Sequence, residues 1–309
     1  TQFMGITTHP IDRNYSLGGT QDNGTQFLEP NGSTWVNSDG GDGGFAVIDR
    51  AATSTTALNT YHTYYNQTNS QIGYAKATTT VGNGDPNWGT FFGCGGTANG
   101  INCADTTLFY APMVGGPTAA DSPTAGTLYF GTNKLYRSAD AGVTMVQASQ
   151  QLTGIQPNGA AERVSAIGIA PSDDSVRLIG STIGKVYLST TAGATTMTDI
   201  TGPIPARYVG RIAIDPSDPK IAYVGLNGFG IPDQHVWKTT NLTTGTPTWT
   251  AAGTGIPDTP VSTLAIDPAN PQIVYAGTDI GVFKSTNGGA SWIPFSNGLP
   301  RVAVFGMEI

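Results

Sequence analysis

The chain has 309 residues with 14 Lys+Arg against 21 Asp+Glu, a net charge of −7, and its 11% charged content sits far below the roughly 25% usual for soluble domains. Glycine is in excess at 42 residues, and Glu occurs only at Glu29, Glu162 and Glu308, so the turn-former Asp supplies the other 18 of the 21 acids. These numbers exclude coiled coils, helical bundles and basic nucleic-acid binders, and they argue against anionic membrane surfaces as partners; no apolar run reaches the ~18–20 residues of a membrane span.

In chain order the first element is MGITTHPIDRNYSLGGTQDNGTQFLE, from Met4 to Glu29, in which β-type runs alternate with Gly/Asp/Asn turns. Divergent copies follow from FAVIDR at Phe45 and TLFYAP at Thr107. Three clearer copies are SAIGIAPSDDSVRLIGSTIGKVYLST from Ser165, RIAIDPSDPKIAYVGLNGFG from Arg211 and TLAIDPANPQIVYAGTDIGVFKST from Thr263. Each reads as an apolar run, a Pro/Asp turn, a second run ending at Gly, and a third strand. Anchored after the first strand at Pro10, Arg50, Pro112, Pro171, Pro216 and Pro268, the steps are 40, 62, 59, 45 and 52 residues. That is the period of a four-stranded propeller blade with insertions. The predicted fold is therefore an all-β propeller: one domain over 1–309, with blades at 1–40, 41–103, 104–158, 159–204, 205–258 and 259–300. Residues 301–309 (RVAVFGMEI) are expected to be the first strand of a seventh. A chain that opens at Thr1 without Met and closes on a single strand is expected to be part of a longer protein, or to pair that strand by self-association.

A turn motif recurs at one place in the repeat. Ser285-Thr286-Asn287-Gly288-Gly289-Ala290-Ser291-Trp292 fits S-x-[DN]-x-G-x-[ST]-W, and Ser138, Asp140, Gly142 and Thr144 give a second match that lacks only the aromatic. Weaker echoes run from Ser189 to Thr195 and from Thr239 to Trp249. The role of these residues is structural: the short Asx side chain bonds nearby backbone N–H groups, Gly supplies positive φ, and the aromatic wedges into the stack. On these residues the chain resembles the Asp-box (bacterial neuraminidase repeat) β-propeller superfamily, which includes sialidases, xyloglucan-type endoglucanases, sortilin ectodomains and uncharacterised secreted bacterial proteins. The resemblance covers nearly the whole chain. The segments GGTQDNGT (Gly18 to Thr25) and GGDGGF (Gly40 to Phe45) are most similar to the secreted group.

Cys94 and Cys103 bracket a Gly/Asn-rich loop without the His or second Cys pair of a metal site. A local disulfide is the expected reading, against two free thiols, and it favours a secreted or cell-surface setting. His9, His62 and His235 are scattered and read as strand-edge or loop residues, not as ligands. The resemblance implies an arginine motif near the start for sialidase activity, and TQFMGITTHP carries none. Xyloglucanase-type activity implies loop carboxylates acting as acid and base; the candidates are Asp22, Asp42 and Asp279, and ordinary hairpin chemistry explains the same residues. Blade topology places Asp22 in a second-to-third-strand turn and Asp39 and Asp42 in the next blade link, so the three are expected on one face. There they would bind a ligand together with Trp88, or hold Ca2+, or simply cap turns. Asp85, Phe91 and Phe92 of the inserted loop flank that face. No cofactor is required. The functional reading is a non-enzymatic binding, adhesion or structural module for carbohydrate or a surface protein. The alternatives are a glycoside hydrolase of the xyloglucanase type and a self-assembling surface-layer or filament subunit.

Overall fold

A computed structural model describes residues 2–295 and 298–309. Ser296 and Asn297, inside the interval expected for the sixth blade, and Thr1 in the first, lie outside the described residues. The described residues are all β, with six four-stranded antiparallel sheets of β-propeller blade type. There is no helix among them, and hence none long and apolar enough to cross a membrane.

The chain is described as two compact units, residues 1–151 and 152–307, with 308 grouped with the first and 309 with the second. In the first unit, blade one comprises Phe3–Thr8, Ser16–Thr20, Gly24–Leu28 and Trp35–Asp39. Blade two comprises Ala46–Ile48, Thr60–His62, Ile72–Ala77 and Thr90–Cys94, and blade three Met113–Gly115, Leu128–Gly131, Leu135–Ser138 and Val146–Gln147. The second unit holds blade four (Val164–Ala170, Asp173–Ser181, Val186–Ser189, Thr198–Asp199) and blade five (Val209–Ile214, Ala222–Leu226, Val236–Thr239, Thr250–Ala251). It also holds blade six (Val261–Ile266, Val274–Thr278, Gly281–Ser285, Ile293–Pro294).

Second strands such as Leu128-Tyr129-Phe130-Gly131 and Tyr223-Val224-Gly225-Leu226 are buried throughout. A strand sandwiched between two neighbouring sheets has no polar face, so the usual alternation is lost and the run reads as continuously apolar. Their glycines let the next blade approach: a Cβ on Gly225 would stand 2.8 Å from Cγ1 of Val261. The resulting cores run from blade to blade within each unit, as in the layer of Val209, Ile212, Val224, Trp237 and Trp249 in the second.

The repeated turns are built alike. Ser138 Oγ donates to Asp140 Oδ1 (2.7 Å) and accepts from the Gly142 N–H (2.8 Å), while Asp140 Oδ1 accepts the N–H groups of Val143 and Thr144. Ser285 and Asn287 repeat this: the Ser285 hydroxyl donates to Asn287 Oδ1 (2.8 Å), Gly289 N–H donates to Ser285 Oγ (2.9 Å), and Ser291 N–H donates to Asn287 Oδ1 (3.0 Å). Gly142 and Gly289 hold φ of 75° and 85°, the left-handed region glycine enters without penalty. Trp292 then wedges backward, its indole N–H donating to the Ala252 carbonyl of blade five (2.6 Å). Trp249 does the same to Ile200 of blade four (2.9 Å). At the corresponding places after Asp140 and the Ser189 turn stand the buried Met145 and Met197; an adaptable thioether fills the wedge position where the motif names an aromatic. A buried tyrosine of one blade also reaches the following turn: Tyr74 O–H donates to Gly142 O (2.8 Å) and Tyr223 O–H to Gly288 O (2.9 Å).

Residues 301–309, expected as a first strand, are not in a β-ladder. A strand exists as such only beside a partner ladder, and among the described residues this segment makes a local bond from Val302 N–H to Pro300 O (3.1 Å) and a single backbone bond to a strand, from Val304 N–H to Thr278 O (3.0 Å). Its sequence nonetheless keeps the repeat. Leu299-Pro300 stands four residues before Val304, as Ile204-Pro205 stands before Val209 and Ile256-Pro257 before Val261.

Candidate functional site

The face predicted around the blade one–two link forms within the first unit. Asp22 occupies the turn between Thr20 and Gly24, with φ of 60°, a conformation that Asp tolerates better than most residues. Its N–H donates to Asp42 Oδ1 (3.0 Å), so these two come together. Gly44, in the same link, is packed so closely that a Cβ there would stand 2.7 Å from Cδ1 of Tyr110. Burial, reinforced by the charges of Asp42 and then Asp22, pushes the Tyr110 hydroxyl up to about 12.

Asp39 is turned away from that pair. Its Oδ2 accepts from Nε2 of buried His62 (3.0 Å) and from the Tyr64 hydroxyl, and Gly40 N–H donates to its Oδ1 (2.8 Å). Burial alone would raise Asp39; the hydrogen bonds from His62 and Tyr64, the His62 charge and the Gly40 N–H outweigh it and hold the carboxyl below its usual value. Next door, Ser38 donates to Asp85 Oδ1 and accepts the Trp88 indole N–H (2.7 Å). Asp85 moves the other way, raised by burial and, beyond the opposing Ser38 hydrogen bond, by the charge of Asp39. Two neighbouring carboxyls are thus pushed apart in acidity by their surroundings.

Trp88, a candidate ligand contact, is half-buried. Its ring lies edge-on to His62 with centroids 4.3 Å apart and rests on the blade-one core of Tyr15, Leu17 and Phe27. The exposed rings are ones the sequence reading did not single out: Tyr65 and Phe109 stack at 5.5 Å with 23° between planes, and half-buried Tyr110 meets Phe109 edge-on at 4.9 Å. Cys94 and Cys103 form the expected disulfide, with Cα atoms 5.2 Å apart. It clamps the inserted loop beside the fourth strand of blade two, and Asn69 N–H donates to the Cys103 carbonyl (2.8 Å).

Among the described residues no three His, Cys, Asp or Glu side chains are grouped so as to hold a metal ion. Of the uses open to these three carboxylates, turn capping is seen for Asp42, which accepts the Asp22 N–H, while Asp39 is engaged by His62 and Tyr64. Asp279 is exposed in a blade-six turn of the second unit, where Thr278 Oγ1 donates to the Gly281 carbonyl (2.8 Å) and accepts the Ile280 N–H (3.2 Å). His62, read as a strand-edge residue, ends the second strand of blade two and is fully buried.

The opposed shifts predict opposite pH signatures. Asp39 is depressed, so its contribution to stability is present above the unfolded-state value near 3.9 and is lost as pH falls through the lower folded value. Asp85 is raised, so its contribution is present below ~3.9 and lost as pH rises through the folded value. Melting temperatures between pH 7 and pH 3 are expected to fall less on acidification in Asp39→Asn than in wild type. Asp85→Asn, whose amide oxygen still accepts from Ser38, is expected to melt no lower than wild type at pH 7. A lower Asp85→Asn melting temperature at pH 7 rejects this assignment.

No family model matches the chain, and no curated protein matches it. Solved structures do match. The GH74 xyloglucanase from Xanthomonas campestris aligns over 96% of this chain and 45% of its own, with TM-score 0.64 and 16% identity. A Niastella koreensis GH74 enzyme aligns over 95% and 45%, with TM-score 0.65 and 19% identity. YCF48 from Cyanidioschyzon merolae aligns over 97% and 86%, with TM-score 0.63 and 12% identity. The chain spans less than half the length of the two GH74 structures. At these identities the likeness establishes the fold alone: four-stranded blades of a β-propeller.

Proposed function

We propose that the chain is the propeller of a secreted or cell-surface protein of the Asp-box class, and that the blade one–two face is a carbohydrate-binding surface. The observation that carries this reading is the meeting of the Asp22–Asp42 pair with half-buried Tyr110, against which the exposed rings of Phe109 and Tyr65 are stacked in turn. Sugars present apolar C–H faces that stack on rings and hydroxyls that donate to carboxylates, and this face offers both kinds of partner. The two Ser–Asx–Gly turns support the class, and the Cys94–Cys103 disulfide supports an oxidising compartment. A glycan array followed by titration calorimetry tests the reading. Phe109→Ala and Tyr110→Ala are each expected to weaken the best glycan by about tenfold, equivalent to ~1.4 kcal/mol. Failure of every glycan to bind, or binding indifferent to both substitutions, rejects it.

A further inference from the structure

The face at the blade one–two link carries charge of one sign. Residues 1–110 hold eight Asp and Glu against three Lys and Arg, so five of the chain's seven excess negative charges arise there. The three cations stand away from the face. Arg13 lies in the connection between the first two strands of blade one, and Arg50 in the corresponding connection of blade two. In an antiparallel meander these connections are at the opposite end of the blade from the Asp22 turn. Lys76, in the third strand of blade two, has Asp140 and Asp49 as its charged neighbours. His62 is buried and committed to Asp39.

The carboxylates of the Asp22–Asp42 pair are correspondingly unengaged. Asp42 Oδ1 accepts the Asp22 N–H; its Oδ2 and both Asp22 carboxylate oxygens have no hydrogen bond or ion pair among the described residues. Asp22 is exposed and Asp42 half-buried, so a ligand reaches both. Their field falls on Tyr110, whose hydroxyl oxygen is buried without a hydrogen-bond partner among the described residues. That hydroxyl is pushed up by burial and then by Asp42 and Asp22, with no basic side chain opposing them. Tyr110 meets Phe109, which stacks on Tyr65, and these last two rings are 49% and 39% exposed. The face of an aromatic ring is the negative end of its quadrupole, so the rings attract a cation as the carboxylates do.

We propose, resting on the carbohydrate reading of this face, that it selects amino sugars: glycans whose ammonium groups pair with Asp42 and Asp22 while their C–H faces lie on Phe109 and Tyr65. Glycans bearing uronic acids, sulfate or sialic acid carry the charge that this face repels. Neutral sugars stack and hydrogen-bond there, but leave the two carboxylates without a counter-charge. Because the carboxylates keep contact with water, the added preference is of the order of tenfold and not of many decades.

Two hexamers on the same β-linked backbone, one of N-acetylglucosamine and one of glucosamine, isolate the charge. Titration calorimetry at about pH 5.5, above the ordinary carboxylate range, keeps the sugar amines protonated. The glucosamine hexamer is expected to bind about tenfold more tightly, the scale of an exposed ion pair together with an exposed cation–π contact. That preference is expected to shrink as ionic strength rises from ~0.05 M to ~0.5 M. Asp42→Asn keeps an oxygen for the Asp22 N–H, and Asn tolerates the left-handed conformation at position 22. The double variant Asp22→Asn/Asp42→Asn is therefore expected to keep the wild-type melting temperature and its affinity for the acetylated hexamer. It is expected to bind the two hexamers within about twofold of each other. Phe109→Ala is expected to weaken both. Equal wild-type affinity for the two hexamers, or a preference that survives in the double variant, overturns the selection for amines and leaves the carbohydrate reading standing. A lysine hexapeptide that binds as tightly as the glucosamine hexamer overturns it too, since bare charge then suffices. If neither hexamer binds, the selection for amines is overturned, and the carbohydrate reading falls with it only when the glycan array is also blank.

Discussion

Replacing Trp292 by Ala is expected to cost about 3–5 kcal/mol of stability, the range for truncating a large buried aromatic. The indole is 3% exposed, packs with Tyr223, Ala252 and Val261, and donates 2.6 Å to the Ala252 carbonyl of the preceding blade. Its removal opens a cavity at a blade–blade joint and strands a buried carbonyl at once. Trp292→Phe separates the two terms, since it retains most of the apolar volume and loses only the hydrogen bond, which leaves ~1–3 kcal/mol. Urea unfolding reads both as shifts of the midpoint at constant slope. A Trp292→Ala midpoint within error of wild type is incompatible with the wedge being a principal fastening of blade six.

The second large effect is expected at Asp174. Arg177 is 1% exposed and Asp174 7%; Nη2 donates to the carboxylate at 2.9 Å and Nε to the Asp174 carbonyl at 2.7 Å. Removing the carboxylate in Asp174→Ala leaves a guanidinium in a place with little water and less compensation, at a cost of about 3–5 kcal/mol. Asp174→Asn keeps an acceptor and is expected to lose less. Lys185, half exposed and paired with half-exposed Asp199, supplies the contrast: Lys185→Ala is expected to change stability by ~0–1 kcal/mol. Equal losses in the buried and exposed pairs contradict the argument from burial.

The sequence carried the fold because the blade is a local object. Strand composition, the Pro/Asp turn after the first strand and the Ser–Asx–Gly turn all lie within one repeat, so period and chemistry are visible together. The site was legible only where topology brings sequence neighbours together. Asp22 and Asp42, twenty residues apart, meet as blade geometry requires. What was hidden lies in pairings between blades: His62 and Tyr64 claim Asp39, and Ser38 reaches across to Asp85 and Trp88. No local spacing encodes these contacts, which decide what each side chain touches: Asp39 is held by His62 and Tyr64, and the Trp88 indole by Ser38. Phe109 and Tyr110 read as strand residues of blade three, yet they precede its first strand at Met113–Gly115, and Tyr110 lies beside Gly44 of the blade one–two link.

The tyrosine-to-turn bond has a consequence for how such a chain grows. The joint between blades five and six is divided between two repeats: the tyrosine donor belongs to one, and the accepting carbonyl and backward-reaching tryptophan to the next. A duplicated repeat therefore brings the socket for its successor and the plug for its predecessor in a single stretch of DNA. Neither neighbour needs a compensating change, so repeat number varies by whole units, and lineages of such chains should differ in length by multiples of the repeat more readily than by single strands.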